Sequence, residues 1–498
     1  MTTAEEKQIV SYLLDLGCCL NCSIRYLCDK QLEFSELDDF LSQKLIINEV
    51  EIKEEDQIKR VKNNACIVCL GLLQDHMLQE ILNCPDLQKT QNYDNPMFSV
   101  SISMPASILL REHSMRLHVV EKFPAFFTDD KLEIPINRVW KMFVKNPLAK
   151  TLNKTFQSSD IGDFFINITT DYIDDIEELK ALQVMQPKDF QIRTTQHRKY
   201  HGELFTRKGV LQILSKSSEK LFRMHSACPP TIPNNFLTCK AIECKHNSIF
   251  IAGRYCKYSR ELSQSPWVVD GVKLMDTSVQ EIMFDVISIM LSTPVDNLKF
   301  SSSGREDCDV RCLGKGRPFY IEILDPKKTQ FSFEEFRRIE NKVNKSELIK
   351  IRDLQMVARS DTNYIKQGEE SKTKNYVALC VTKQKVTQEM LDKINDYGEV
   401  EIQQKTPIRV LHRRPLAVRP RMILSMKATL TENEHCFELE VVTQAGTYVK
   451  EFVHGDFGRT RPNINEIIGC DVDIAALDVI SINLDWPAEI DYNRCIQL

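Results

Sequence analysis

A polar segment of sixteen residues, 304–319, lies between two apolar runs at 298–302 and 319–324. The segment contains three glycines, four cations and three carboxylates. Because so many ionisable groups are poorly suited to a hydrophobic core, the pattern predicts two strands joined by an exposed loop. Glycines let the backbone approach a ligand closely, and arginines can donate two hydrogen bonds to a phosphate. The segment therefore indicates a site for an anionic ligand.

The carboxylates of this segment point to chemistry as well as to binding. An acid among cations stays ionised, which suits a nucleophile or a base acting on a substrate that arginine and lysine hold. Asp307 and Asp309 are the two candidates. The alternative is that these acids only pair with Arg305 and Arg311 and make a surface turn rigid.

The order of residues in the segment resembles a known motif. The run Gly-Arg-Glu-Asp-x-Asp-Val-Arg-x-Leu-Gly-x-Gly-Arg-Pro-Phe is similar to the active-site motif of the archaeal and eukaryotic tRNA pseudouridine synthases of the tenth Pus family. Its Gly-Arg-x-Asp core resembles the catalytic-aspartate loop of pseudouridine synthases in general. The resemblance therefore places the catalytic carboxylate on Asp307 rather than Asp309. It implies isomerisation of uridine to pseudouridine in the TΨC arm of tRNA, at position 55 and also at position 54 as an open alternative.

The resemblance also implies an α+β fold. We expect a C-terminal pseudouridine-synthase catalytic domain at 269–498, with a mixed, largely antiparallel sheet and flanking helices. An RNA-binding accessory domain of the THUMP type is expected at 96–268, after a zinc-bearing region with cysteine hooks at 1–95. Within the catalytic part, capping boxes that begin at Ser278 and Ser332 predict two helix starts.

Two further segments resemble parts of the pseudouridine-synthase site. Tyr376, at the start of an apolar strand in a Lys-x-Tyr-x-Ala segment, corresponds to the tyrosine that stacks on the target base. The alternative for Tyr376 is a strand tyrosine anchored by its hydroxyl. Lys450 corresponds to the basic partner of the catalytic aspartate, and Val453 to an aliphatic residue beneath the target uridine. The alternative is an ordinary short helix with Lys450 in solvent and Val453 in the core.

Basic residues predict where RNA binds. Residues 404–421 contain no acid, and their prolines favour an extended chain along a ligand. The cations of this segment are Lys405, Arg409, Arg413, Arg414, Arg419 and Arg421. We expect Arg409, Arg413 and Arg414, together with Arg305 of the motif, to contact phosphates. Arg254 and Lys257, which alternate with tyrosines at 253–260, are predicted to contact RNA as well, although solvated surface residues form similar patterns.

Cysteines near the N-terminus form two Cys-x-x-Cys hooks. Cys19, Cys22, Cys66 and Cys69 can present four thiolates to a tetrahedral zinc ion, and the resemblance implies such paired hooks. Cys18 and Cys28 are competing ligands, and free thiols on helix ends are the alternative to a metal site. A structural zinc here would leave the charged insert at 48–63 as a loop outside the fold.

Bulk composition limits the partners. The 498 residues carry a formal net charge of -5, so attraction to a polyanion must come from a local patch. The seventeen cysteines are irregularly spaced and no cleavable apolar leader is seen, which predicts a protein of the cytoplasm or nucleus. No apolar run is long enough to predict a membrane span. The expected partner is tRNA, with other RNAs as further candidates. No organic cofactor is expected, and the oligomeric state stays open.

Three other functions are alternatives to an isomerase. A non-catalytic RNA-binding or RNA-processing scaffold would use the same basic surfaces, and an assay of turnover beside binding separates it from an enzyme. A methyltransferase would need a glycine-rich turn from strand to helix, whereas the glycines of 304–316 lead into another strand. A zinc hydrolase is disfavoured because four thiolates leave no open coordination position.

Overall fold

A computed structural model of the chain describes residues 4–27, 64–127, 134–157, 162–200, 204–366, 372–412 and 414–491. The chain divides into two compact units, Met1–His246 and Asn247–Leu498. Cys28 and the charged insert at 48–63 lie outside the described residues. Within the described ranges, no helix combines the length and apolar character needed to cross a bilayer.

The first unit combines helices with a small mixed sheet. Its helices are α1 (Ala4–Leu16), α2 (Leu20–Arg25), α3 (Asp75–Leu82), α4 (Ser107–Lys122), α5 (Ile136–Leu152), α6 (Asp175–Met185), α7 (Pro187–Tyr200), α8 (Arg207–Lys216) and α9 (Glu219–His225). Its strands are β1 (Met97–Ser103), β2 (Thr155–Phe156), β3 (Phe164–Asp171) and β4 (Thr238–His246). The strand order is β2-β1-β3-β4, in which β1 runs parallel to β2 and β3, and β4 is antiparallel to β3.

The cysteine hooks belong to the core of this unit. Cys19 and Cys69 lie in one buried apolar cluster with residues of β1 and β3, such as Phe98 and Ile166. The described residues of the region predicted at 1–95 are therefore packed into the same unit as the strands that follow it.

The second unit is built on one large sheet. Its strands are β5 (Ile249–Lys257), β6 (Val268–Val269), β7 (Val272–Lys273), β8 (Leu298–Ser302), β9 (Val310–Ile323), β10 (Ile349–Val357), β11 (Lys374–Thr382), β12 (Val400–Lys405), β13 (Val418–Leu430), β14 (Cys436–Thr443), β15 (Thr460–Arg461) and β16 (Val472–Ile482). Its helices are α10 (Val279–Met290), α11 (Phe333–Val343), α12 (Gln388–Asn395), α13 (Val449–His454) and α14 (Ile464–Ile468).

Among the described residues, ten strands form this sheet in the order β10-β5-β9-β16-β11-β14-β13-β12-β15, and β8 also pairs with β9. β16 runs parallel to β9, and the other pairs are antiparallel. The hairpin of β6 and β7 stands apart from the sheet. The predicted α+β class and the mixed, largely antiparallel sheet are confirmed.

Both predicted capping boxes lie at helix starts. The Ser278 side chain accepts a hydrogen bond from Glu281 N at 3.2 Å at the start of α10. Ser332 and Glu335 form a reciprocal capping box at the start of α11, and Phe331 packs against Phe336 with ring centroids 5.6 Å apart. The apolar faces of α10 and α11 share a buried cluster with residues of β5, β9 and β10.

The division between the units differs from the predicted boundary near residue 268. Strand β5 was assigned to the accessory domain, but it pairs with β9 and β10 in the large sheet. The tyrosines and cations of 253–260, from which RNA contacts are predicted, mostly belong to this strand. A strand that lies between two others cannot be recognised from its own polar residues.

The loop portion of the motif is shorter than the sequence predicts. β9 begins at Val310, so the loop between β8 and β9 covers only 303–309, and the second half of the motif is strand. Gly314 and Gly316 allow this strand to continue, because both have positive φ, +60° and +81°. A β-carbon on Gly314 would lie 2.2 Å from the Ile480 carbonyl oxygen, which no side chain could tolerate.

Candidate active site

A cleft of about 810 Å³ opens in the second unit, beside the loop at 303–309. Segments that are far apart in sequence line it, and they include the ends of β8 and β11, the turn at 446–450 and part of β16. Its charged lining residues are Arg305, Glu306, Asp307, Arg317, Lys374, Arg409, Arg414 and Lys450. The cleft therefore collects the cations that an anionic ligand would need.

A buried polar network fixes the loop from below. Arg317 Nε lies 2.7 Å from Glu306 Oε2, and both side chains are buried. The hydroxyl of Tyr255 donates to the same carboxylate at 2.9 Å, and Gln264 donates to that hydroxyl and to the Gly304 carbonyl. The carboxylate of Glu306 is thus committed to structure. Tyr255 and Gln264 were missed from the sequence, because only the fold brings them beneath the motif.

Lys257 holds the main chain of the loop. Its side chain is 0% exposed, and Nζ donates to the carbonyls of Leu262 at 2.7 Å, Asp307 at 3.1 Å and Cys308 at 2.7 Å. Desolvation lowers the pKa of Lys257, and the neighbouring Glu306 opposes that effect. The expected contact between Lys257 and RNA is therefore wrong, because its ammonium is buried beneath the loop that carries Asp307.

Arg254 is likewise not an RNA ligand. Its side chain is buried and donates to the carbonyls of Gly316 at 3.3 Å, Trp486 at 3.1 Å and Leu484. Arg254 and Lys257 both lie on β5, where neighbouring strands leave their side chains no access to phosphates.

Substituting Lys257 tests this arrangement. Lys257→Met would leave three buried carbonyls without their donor, so we expect the free energy of unfolding to fall by about 3 kcal/mol. We also expect turnover to fall at least about ten-fold, because a displaced loop no longer presents Asp307 in the productive geometry. Urea unfolding and a turnover assay measure the two effects. Lys299→Met, at an exposed position of β8, is the matched control and should change neither the free energy of unfolding nor the turnover. If both variants behaved alike, the proposed role of Lys257 would be contradicted.

Asp307 lies on the cleft with its side chain 34% exposed. Its Oδ2 accepts from Arg409 Nη1 at 2.7 Å, and Lys450 Nζ lies 3.7 Å from the same oxygen. Lys450 donates instead to both oxygens of Asp309, at 2.8 and 2.6 Å. The residue predicted to bind phosphates, Arg409, is therefore the direct partner of Asp307, and Lys450 is the second cation beside it.

Glu451 fixes the orientation of Arg409. Its side chain is buried and accepts from Arg409 Nε at 2.6 Å and Nη2 at 3.4 Å, so Nη1 is left to point at Asp307. Desolvation alone would lower the pKa of Arg409, but the hydrogen bond with Glu451 and the charges of Glu451 and Asp307 together raise it. Burial opposes ionisation of Asp309, yet Lys450 lowers the pKa of this carboxyl. Both shifts favour the charged forms of Arg409 and Asp309. Glu451 was missed from the sequence, where it is one acid after Lys450 without a distinguishing pattern.

Tyr376 and Val453 occupy different environments. Tyr376 lines the cleft, and burial raises the pKa of its phenol to about 12. Among the described residues its hydroxyl has no hydrogen-bond partner, so the anchored tyrosine considered as the alternative is not what the structure has. Val453 is fully buried in the core and does not line the cleft, contrary to expectation. The aliphatic and phenylalanine residues that line the cleft are Phe300, Val310, Val410, Val449, Leu477 and Val479.

The other predicted phosphate ligands divide into two groups. Arg305 and Arg414 line the cleft. Arg413 lies outside the described residues. The segment at 404–421 is less extended than predicted, because a short 3-10 turn at Ile408–Val410 follows β12 and directs Arg409 toward Asp307.

The first unit brings the four predicted cysteines together. The sulfur atoms of Cys19, Cys22, Cys66 and Cys69 all lie within 4.8 Å of one another, and all four side chains are buried. The Cys19 and Cys69 sulfurs are 3.7 Å apart, and Cys19 N donates to Cys66 Sγ at 3.2 Å. This cluster could hold a metal ion. Cys18 is buried nearby but does not belong to the cluster.

Comparisons with known proteins agree with the motif. Residues 250–483 match the family described as Pus10, C-terminal, and residues 66–244 match Eukaryotic Pus10, N-terminal. The human tRNA pseudouridine synthase Pus10 is 34% identical, covering 98% of this chain and 99% of that protein. The Xenopus laevis protein of the same name is 39% identical over 86% of this chain and 81% of its own length. A solved Cbf5-Nop10-Gar1 complex is 17% identical over 46% of this chain and 47% of that chain, with a TM-score of 0.26, a likeness too slight to bear on the argument.

Proposed function

The chain belongs to the Pus10 family of tRNA pseudouridine synthases and is an isomerase that makes pseudouridine in tRNA, and from this premise we propose its target and the roles of its residues. The proposed target is uridine 55 of the TΨC arm, with uridine 54 as a second site. The observation that carries the catalytic proposal is the accessible carboxylate of Asp307, held between Arg409 and Lys450 at the cleft.

Asp307 acts at the sugar of the target uridine. The reaction breaks the bond between C1′ of the ribose and N1 of uracil and forms one between C1′ and C5, and the C5 proton is lost as N1 gains one. Asp307 serves as nucleophile or base at the ribose, and Arg409 and Lys450 orient it. Glu451 contributes to this step by holding the guanidinium of Arg409 in its orientation.

The remainder of the cleft binds the base and the strand. Tyr376 presents a ring on which the uracil stacks, and the valines of the cleft wall enclose the detached base. A uridine must be flipped out of its stack, which costs a few kcal/mol. Arg305, Arg414 and Lys374 offset that cost by contacting phosphates, since charged contacts supply most of the affinity for nucleic acid.

The first unit serves as a THUMP-like accessory domain that grips tRNA, while the unit from residue 247 onward carries catalysis. Its cysteine cluster fits a structural zinc. Four thiolates at about 2.3 Å from a tetrahedral zinc would lie about 3.8 Å from one another, close to the 3.7 Å between the Cys19 and Cys69 sulfurs. Zinc would supply stability only, because four thiolates leave it no open position for substrate.

Carbodiimide mapping of an unmodified tRNA transcript tests the proposed target. After incubation with the protein, we expect a reverse-transcription stop at position 55, and a second stop at 54 if both uridines are substrates. A transcript with cytidine at 55 should lose the first stop and serves as the control. A stop elsewhere in the tRNA, with none in the TΨC arm, would contradict the proposed target while leaving the isomerase activity intact.

A further inference from the structure

The turn at 455–458, between α13 and β15, carries an aromatic side chain that the mechanism above does not use. Phe457 is 95% exposed, the highest value among the exposed large apolar residues in the described part of the chain. Its φ is +54° and that of Asp456 is +48°, and glycines with positive φ flank the pair. A bulky residue is disfavoured in the left-handed region and persists there only when its surroundings hold it. Phe457 thus gains no packing within the chain and sits in an unfavourable conformation.

The turn is nevertheless firmly held. Gly458 N donates to the Gly455 carbonyl at 3.0 Å, and Arg459 N donates to the Asp456 carbonyl at 3.1 Å. The Asp456 carboxylate accepts from Ile408 N at 3.3 Å. These bonds attach the turn to the segment whose next residue, Arg409, contacts Asp307. The ring of Phe457 is therefore presented to solvent by a rigid support that is continuous with the active site.

Two cations lie near the turn: Arg461, which pairs with Glu466 at 3.2 Å, and Lys405. A β-carbon placed on Gly458 would lie 3.5 Å from Arg461 Nη2, so this guanidinium lies beside the turn, and its side chain is 70% exposed. Lys405 is exposed on β12, and its backbone N–H donates to the Arg459 carbonyl at 3.0 Å. An exposed aromatic ring among arginine and lysine is the arrangement that proteins use to stack bases and hold phosphates.

The position of the turn relates it to the cleft. Val449 and Lys450, at the first turn of α13, line the cleft, and the helix rises about 9 Å over its six residues before reaching Gly455. Phe457 thus lies beyond the edge of the cleft, on the side of Lys405 and the 3-10 turn at Ile408–Val410 that carries Arg409. A strand that delivers a uridine to Asp307 and follows those cations passes over Phe457.

We propose that Phe457 stacks on an unpaired base of the tRNA next to the target uridine and holds the strand while the uridine is flipped. It is a positioning residue, because it touches the substrate away from the reacting atoms. The inference rests on the proposed function, since it assumes that tRNA reaches Asp307 along the basic segment.

Three variants test the proposal by steady-state kinetics. Phe457→Leu and Phe457→Gly should raise KM for tRNA about ten-fold with little change in kcat, since they remove a stacking contact and not a reacting group. Phe457→Tyr keeps the ring and should restore the parent KM. The melting temperature of Phe457→Gly should stay level or rise, because glycine adopts positive φ without strain. Ile289→Ala, an exposed apolar residue of α10, is the control and should leave KM unchanged.

A binding measurement separates this proposal from the proposed function. 2-Aminopurine placed beside uridine 55 should be quenched on binding to the parent protein and to Phe457→Tyr, but not to Phe457→Leu. Because quenching needs no turnover, it decides the role of Phe457 even if the parent protein fails to modify the TΨC arm. Equal quenching and equal KM for Phe457→Leu and the parent would overturn the proposal, as would a Phe457→Tyr variant that behaves like Phe457→Leu.

Discussion

Asp307→Asn is expected to lower the kcat for tRNA isomerisation by at least about 10³-fold. The asparagine side chain has nearly the same volume but cannot act as nucleophile or base at the ribose. The loop should keep its shape, because Lys257 and the pair of Glu306 and Arg317 hold it without using this carboxylate. Single-turnover assays with excess enzyme measure the effect on chemistry, and a filter-binding titration should show that the affinity for tRNA is retained.

Two further variants make this result decisive. Asp309→Asn tests the neighbouring acid, which pairs with Lys450 and is expected to reduce turnover far less than the change at Asp307. Asp296→Asn, at an exposed position outside the cleft, controls for the change in net charge. Turnover of Asp307→Asn within ten-fold of the parent, or a larger loss from Asp309→Asn, would show that the catalytic carboxylate has been misassigned.

Cys69→Ala is expected to prevent the first unit from folding. Structural zinc sites contribute about 10 kcal/mol or more, which is comparable to the whole stability of a domain. The bound metal, measured by inductively coupled plasma mass spectrometry, should fall from one zinc per chain to none. Circular dichroism should report a loss of helix from the first unit. Prolonged chelation of the parent protein should reproduce both changes.

Cys18→Ala is the matched control for the metal site. Cys18 is buried beside the hooks but stands outside the cluster, so its loss should leave one zinc bound and cost only the packing of a small side chain. If Cys69→Ala retained its helix content and the parent protein contained no zinc, the cluster would be a set of free thiols in the core.

Local patterns and long-range contacts differ in how well the sequence predicts them. The α+β class, the two capped helices of the second unit and the strand that carries Tyr376 follow from patterns within a few residues. The location of Asp307 on a cleft follows from a contiguous motif. The contact between Asp307 and Arg409 joins residues 102 positions apart, and that between Arg409 and Glu451 spans 42. No local pattern encodes such a pair, so Arg409 was interpreted as a phosphate ligand from the local charge of its segment and from the family resemblance.

The errors at Arg254 and Lys257 have a different cause. Cations that alternate with tyrosines are typical of RNA-binding surfaces. The same residues also occur on a buried strand, where their side chains donate hydrogen bonds to carbonyls of neighbouring segments. Deciding between these interpretations requires knowing that β5 lies between β9 and β10. The prediction that Val453 lies beneath the uridine fails for a similar reason. A short helix presents one face to the cleft and another to the core, and Val453 lies on the core face.

The anchoring of Arg254 also sets a requirement on how this protein is made. Two of its three carbonyl acceptors, on Leu484 and Trp486, are translated 230 and 232 residues after the arginine itself. Until those residues leave the ribosome, the guanidinium has no means of being buried with its hydrogen bonds satisfied. The hydrogen bonds of Arg254 therefore cannot be completed until residues 484 and 486 have been synthesised, long after β9 and β10, with which β5 pairs in the sheet.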